Sequence, residues 1–288
     1  MGPRARCSPE GLVPCRGKDA SGSGVRDELL TVAIEAAHSA GELLMNSFGG
    51  DRADVSTKTS PTDLVSKADR DAERFLLDFL ASKRPGDGIF AEEGGRAESS
   101  TGYRWVIDPL DGTVNFLFRI PVWAVSLAVE DRDGGVAGVV YDPNRNETFV
   151  AQRGEGAWLN DRRLQVSDRA DLATALIGTG FAYEVKRRGE QARVAADVLG
   201  KARDIRRAGS AALDLCAVAC RRLDGFYEAY TEPWDRAAGA LIVREAGGVV
   251  SEGPAPVGEG TTIFAANATL HDELKRLVLA SVQSKGVQ

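Results

Sequence analysis

Trp105-Val-Ile-Asp108-Pro109-Leu110-Asp111-Gly112-Thr113-Val-Asn-Phe116 decides how this chain is read. Its first three residues are apolar and predict a buried strand. Asp108-Pro109 ends that prediction, because proline cannot donate to a ladder and restrains the residue before it. Two carboxylates then stand three residues apart, and Gly112-Thr113 opens a predicted short helix. Such a strand end offers two anions, a backbone carbonyl and free N–H groups to one small volume. That combination suits a hard metal ion and a phosphate.

Working outward, residues 88–91 predict a short strand that ends in Glu92-Glu93-Gly94-Gly95, either a plain turn or a second acidic strand end. Behind the opening stretch, residues 122–130, 136–141, 148–151 and 157–159 alternate or run apolar. Short Gly-, Pro- and Asn-containing connections separate them, which predicts antiparallel hairpins. Residues 27–48 and 63–83 carry apolar positions at helical spacing, closed by Gly49-Gly50 and Pro85-Gly86. The first half is therefore expected to be a sizeable antiparallel sheet with two helices packed on it. Past Leu172, strand-like runs at 175–178, 225–228 and 262–265 alternate with helical segments at 189–199, 210–221, 235–246 and 271–282. That pattern predicts a layered α/β half. Residues 1–25, rich in Gly, Ser, Pro and charge, predict a disordered extension. No linker divides the remainder, so 26–288 is expected to be one catalytic domain whose halves, 26–170 and 171–288, share a core.

Composition bounds the rest. The 288 residues are 43% hydrophobic and 27% charged, with a net charge of -6. This is a globular balance that argues against a broad nucleic-acid or anionic-membrane surface. The basic groups Lys186-Arg187-Arg188 and Arg203 to Arg207 are expected to be solvated helix faces. No apolar run reaches the roughly 20 residues of a membrane span, and no signal peptide opens the chain, so a cytoplasmic protein is expected. Four cysteines form neither a disulfide framework nor a zinc pair. Cys216 and Arg222 match the spacing of cysteine phosphatases, but their surroundings predict a helix where a phosphate-cradling loop is needed.

Two further acids stand out. Asp69 lies close to the predicted apolar face of its helix, either at a solvated edge or aimed inward. Asp235 stands where a helix should begin, either as a cap or on the face shared by Ala238, Gly239 and Ile242. The two histidines sit on ordinary-looking helices, which leaves little material for a Ser-His-Asp mechanism. Cysteine and histidine ligands for zinc are missing too. Carboxylate and carbonyl oxygens remain, the donors magnesium prefers.

Asp108-Pro-Leu-Asp-Gly-Thr-Val-Asn-Phe116, with Trp234-Asp-Arg-Ala-Ala-Gly-Ala-Leu241, resembles the inositol monophosphatase family. Glu92-Glu93-Gly94 and Lys58-Thr-Ser-Pro-Thr-Asp-Leu-Val-Ser-Lys-Ala-Asp69 resemble its two other signatures, and flanking phrases are similar to bacterial, actinobacterial-type members. The resemblance implies an αβαβα layered fold, homodimers, and a lithium-sensitive phosphatase holding two to three Mg2+ ions. Glu92, Asp108 and the Leu110 carbonyl would hold the first ion. Asp108, Asp111 and Asp235 would hold the second, and Glu92 would reach a third through water. Thr113, positioned by Asp69, would orient the attacking water with Glu92, while the N–H groups of Gly112 and Thr113 receive phosphate. Gly209, Ser210, Ala211, Glu228 and Asp235 fall in the substrate-binding stretches, and Lys58 matches a lysine near the metals. Glu232 stands where mammalian members carry histidine, an acid that disfavours a second phosphate. Inositol-1-phosphate is the expected substrate, ahead of histidinol-phosphate, fructose-1,6-bisphosphate or a nucleotide 3'-phosphate. A regulatory role in binding transcription machinery is the alternative of another class.

Overall fold

The computed structural model describes residues 23–50, 56–57 and 64–283. Lys58, Cys7 and Cys15 lie outside the described residues, as does most of the predicted N-terminal extension. Helix α1 (Ser23–Ser47) begins inside that predicted extension, four residues ahead of the expected start. A small antiparallel pair, β1 (Ser56–Thr57) and β2 (Leu64–Val65), precedes α2 (Lys67–Lys83). The second helix thus starts later than its apolar pattern suggested. Ser66 caps it, accepting from the backbone of Asp69, and Asp69 returns the favour to the Ser66 N–H at 2.8 Å.

The first sheet is built from β3 (Gly88–Ala91), β4 (Arg96–Ala97) and β5 (Arg104–Asp111). After the short helix α3 (Thr113–Leu117) come β6 (Ala124–Asp131), β7 (Gly134–Asp142), β8 (Glu147–Gln152), β9 (Gly156–Leu159) and β10 (Arg162–Arg163). These eight strands lie in the order β10-β9-β8-β7-β6-β5-β3-β4, antiparallel throughout except for β3 beside β5. One expectation fails here: Pro109 does not end the strand. β5 runs on to Asp111 because the four residues from Asp108 to Asp111 face only three on β6, from Ser126 to Ala124. Proline is tolerated at such a bulge, where the ladder is already interrupted. The bulge also re-aims the strand end that carries both carboxylates.

The second half opens with β11 (Leu176–Thr179) and α4 (Val185–Leu199), then β12 (Asp204–Arg206) and α5 (Ala211–Ala219). It continues through β13 (Gly225–Ala229), α6 (Pro233–Glu245), β14 (Val249–Pro254), β15 (Thr261–Ala266) and α7 (Ala268–Gln283). Its five strands lie in the order β12-β11-β13-β15-β14, parallel from β12 to β13 and antiparallel beyond. Arg203 to Arg207 therefore occupy a strand and the loop residues on either side of it, correcting the helical reading of that basic run.

Three apolar layers explain the stacking. α1 and α2 cover one face of the large sheet through Leu30, Ile34, Leu76, Trp105 and Val139. α5 and α6 fill the space between the two sheets with Leu215, Val218, Ile242, Phe149 and Phe226. α4 and α7 close the far face of the small sheet with Val194, Leu270, Leu274 and Phe264. The result is the αβαβα order, and burial on both faces is why the central strands run apolar rather than alternate. Among the described residues, no helix is long and apolar enough to cross a membrane.

Candidate active site

A cavity of about 500 Å³ opens where the end of β5 meets the first turns of α5 and α6. Glu92, Asp108, Leu110, Asp111, Gly112 and Thr113 form one wall; Gly209, Ala211, Glu228 and Asp235 line the other. Of the remaining predicted residues, Asp69 and Ser210 stand immediately behind those walls, each bonded to a lining residue.

The first wall follows from the bulge. Asp108 is buried and accepts the Leu110 N–H at 3.0 Å, which fixes the turn between the two acids. Gly112 has φ +100°, and a Cβ there would meet the Val122 carbonyl at 3.0 Å. Only glycine turns the chain tightly enough to start α3 at Thr113. The Thr113 hydroxyl donates to Asp69 at 2.7 Å and lies 3.2 Å from the Leu110 carbonyl. Asp69 is fully buried, so the solvated-edge alternative fails: the acid faces inward and also closes the capping box of α2.

The second wall rests on helix starts. Ser210 caps α5, and its hydroxyl donates to Asp111 at 2.5 Å while the Ala212 N–H donates to the same oxygen at 2.8 Å. Asp235 is the third residue of α6 rather than its cap, which is Glu232; it accepts the Glu232 N–H at 2.7 Å and faces the cavity. Glu228, on β13, fits because residue 180 is glycine: a Cβ there would lie 2.0 Å from its carboxylate.

Electrostatics show how strongly the acids act on one another. Burial pushes the Asp108 carboxyl well above the usual range, and the charges of Glu92, Asp111 and Asp235, with a hydrogen bond to Glu92, push it further. Asp235 is raised for the same reasons, burial first and then Asp111 and Glu92. Burial lifts Asp111 to about 6 despite the bonds from Ser210 and Ala212. Glu228 rises to about 7 through burial and Asp111, opposed by Arg207. Carboxylates so placed need positive charge. Their all-oxygen donor set fits a hard divalent cation. Among the described residues, no three His, Cys, Asp or Glu side chains already stand at metal-holding spacing. The acids share a cavity and a field.

Several residues of this site escaped the sequence reading. Glu73, buried on α2, accepts the N–H groups of Glu93 and Gly95. Asn115 donates to the carbonyls of Val122 and Ala208 at 2.8 and 2.9 Å, tying the Asp-Gly-Thr loop to the segment before Gly209. Asp214, buried on α5, is raised by burial and by Glu228 and Asp111; its place between Leu213 and Leu215 was the signal. Arg187 and Arg207, read as solvated, line the cavity. Cys216 is buried in α5 and burial pushes its thiol up, while Arg222 forms a two-point pair with Glu147. That rules out thiolate chemistry. His38 and His271 bond to Thr148 and Ser251, within the packed layers.

Comparison with known proteins bears on the family and the fold. The model of the inositol monophosphatase family matches residues 25–286. The inositol-1-monophosphatase of Mesorhizobium japonicum is 45% identical over 232 residues, covering 79% of this chain and 86% of that protein. Nus factor SuhB of Escherichia coli is 43% identical over 229 residues, 78% of this chain and 85% of that one. The crystal structure of extragenic suppressor protein suhB from Bartonella henselae superposes with a TM-score of 0.81 at 39% identity, covering 90% of this chain and 99% of that chain. The chain belongs to the inositol monophosphatase family.

Proposed function

We propose that this protein is a magnesium-dependent phosphomonoesterase that hydrolyses inositol-1-phosphate to inositol and phosphate. The observation that carries the reading is the set of four carboxylates, Glu92, Asp108, Asp111 and Asp235, facing one cavity beside a hydroxyl held by a buried acid. Glu92, Asp108 and the Leu110 carbonyl would hold one Mg2+, and Asp108, Asp111 and Asp235 a second, with Glu92 reaching a third through water. Bound there, the ions would supply charge neutralisation and water activation.

This chain's own groups do the rest. Asp69 accepts the Thr113 proton, so the Thr113 oxygen keeps its lone pairs toward the cavity and orients a water by accepting from it. The N–H groups of Gly112 and Thr113 receive phosphate oxygens. Glu228, Gly209, Ser210 and Ala211 contact the alcohol. The Glu232 carboxylate at the rim favours substrates with a single phosphate over bisphosphates. We place this activity in one catalytic domain, 26–288, acting as a cytoplasmic homodimer that lithium inhibits. Phosphate release from inositol, histidinol, fructose and adenosine phosphates, with and without chelator, tests the reading. Turnover that survives chelation defeats it.

Relatives named Nus factor SuhB favour a second reading, binding to transcription machinery alongside hydrolysis. Retention of such a partner by the Asp108→Asn variant separates the two roles.

A further inference from the structure

We propose that Glu73 is a positioning residue for Glu92, acting through the main chain of the turn that follows it. The inference rests on the metal-holding role given to Glu92 above. Glu73 is only 5% exposed, and its carboxylate is spent on two backbone donors: the Glu93 N–H at 2.6 Å and the Gly95 N–H at 3.0 Å. A buried carboxylate is costly unless it is hydrogen-bonded, and a charged acceptor makes stronger bonds than a neutral one. The turn it grips is closed by the Ala91 N–H on the Gly95 carbonyl at 2.9 Å. On its other side Arg96 donates to the carbonyls of Ala91 and Gly95, with its guanidinium 4.2 Å above the Phe90 ring. The Glu92 N–H itself donates to Ile107 of β5 at 3.1 Å, one residue before Asp108.

Glu92 is thus suspended between a strand that carries Asp108 and a turn that Glu73 holds. Asp69 lies one helical turn before Glu73 on α2, so the two acids share a face. One brings the helix against Thr113, the other against the Glu92 turn. α2 therefore acts as a two-point brace that sets the distance between the two elements of the first wall. Groups that orient metal ligands from behind commonly change metal affinity by about 10- to 100-fold when removed.

The test uses the full chain and Mg2+ as the probe. In the metal-free protein, E73Q should speed amide exchange at Glu93 and Gly95. Calorimetric titration should show Mg2+ binding weakened by about tenfold, while KM for inositol-1-phosphate stays unchanged and kcat recovers in excess Mg2+. Unchanged Mg2+ affinity, or a lower kcat that excess Mg2+ does not restore, overturns the proposal. Should E73Q fail to fold, E73D keeps the charge with a shorter reach and is read by the same measurements. E92Q serves as the reference: if it binds Mg2+ like the parent, the metal role of Glu92 falls, and the brace proposal with it. That outcome is distinguishable from a failure confined to Glu73, in which E92Q loses affinity and E73Q does not.

Discussion

Thr113 donates its hydroxyl to Asp69 over 2.7 Å, joining residues 44 apart in sequence at the back wall of the cavity. Asp69 has a second duty, accepting the Ser66 N–H at 2.8 Å to cap α2. Thr113→Ala should lower kcat by about 100-fold, the size of a lost proton-handling group, with little change in KM. Thr113→Ser keeps the hydroxyl and should retain most of the activity. Asp69→Asn should show the same kcat loss plus roughly 1 kcal/mol of lost stability from the weakened cap. Full activity in the Thr113→Ala variant, measured by phosphate release, sinks the role given to this pair.

Asp235 is the third residue of α6 and accepts the Glu232 N–H, yet its carboxylate also faces the cavity. In Asp235→Asn the amide oxygen can still accept that N–H, so the helix start should survive. Turnover should be abolished while the circular dichroism spectrum and Tm stay close to the parent's. Extensive unfolding would show instead that the residue's main work is structural.

The sheet-forming runs were legible because strands covered on both faces read as continuous apolar stretches between Gly- and Pro-containing turns. The strands that escaped, Ser56–Thr57, Leu64–Val65, Arg96–Ala97, Arg162–Arg163, Asp204–Arg206 and Val249–Pro254, all lie at sheet edges or in a two-stranded pair. Polar residues are tolerated there, so the apolar signal fades. Pro109 misled because the rule for proline is local, whereas the bulge that accommodates it depends on the partner strand, from Ser126 to Ala124. Asp69 and Asp235 were visible as acids on apolar faces. Glu73 was not, because in Asp-Arg-Asp-Ala-Glu-Arg an acid bonded to a distant turn looks the same as a solvated one. What joins Thr113 to Asp69, or Ser210 to Asp111, is tertiary, and no local spacing encodes it.

Glu228 is pressed against Gly180 and bordered by Asp111 and Arg207. A charged acceptor lost from the alcohol contact is worth about 1.5–3 kcal/mol, so Glu228→Gln should raise KM for inositol-1-phosphate by roughly 10- to 100-fold. The Mg2+ concentration for half-maximal activity should not move. A variant with unchanged KM but weakened Mg2+ dependence would transfer Glu228 from the alcohol to the metals.

Asp111 is held up at about 6 and Glu228 at about 7, both above the ordinary carboxylate range, first because they are buried. In the metal-free protein the folded state therefore binds more protons than the unfolded chain between about pH 4 and pH 7, so stability falls as pH rises through that window. For Asp111 alone the loss is on the order of 3 kcal/mol. Magnesium competes with those protons, and its stabilisation should grow as the acids ionise. Chelated protein should melt at a lower temperature at pH 8 than at pH 5.5, and saturating Mg2+ should raise the Tm more at pH 8 than at pH 5.5. A Mg2+-induced rise that is absent, or larger at the lower pH, would mean that these carboxylates are not where the ion binds.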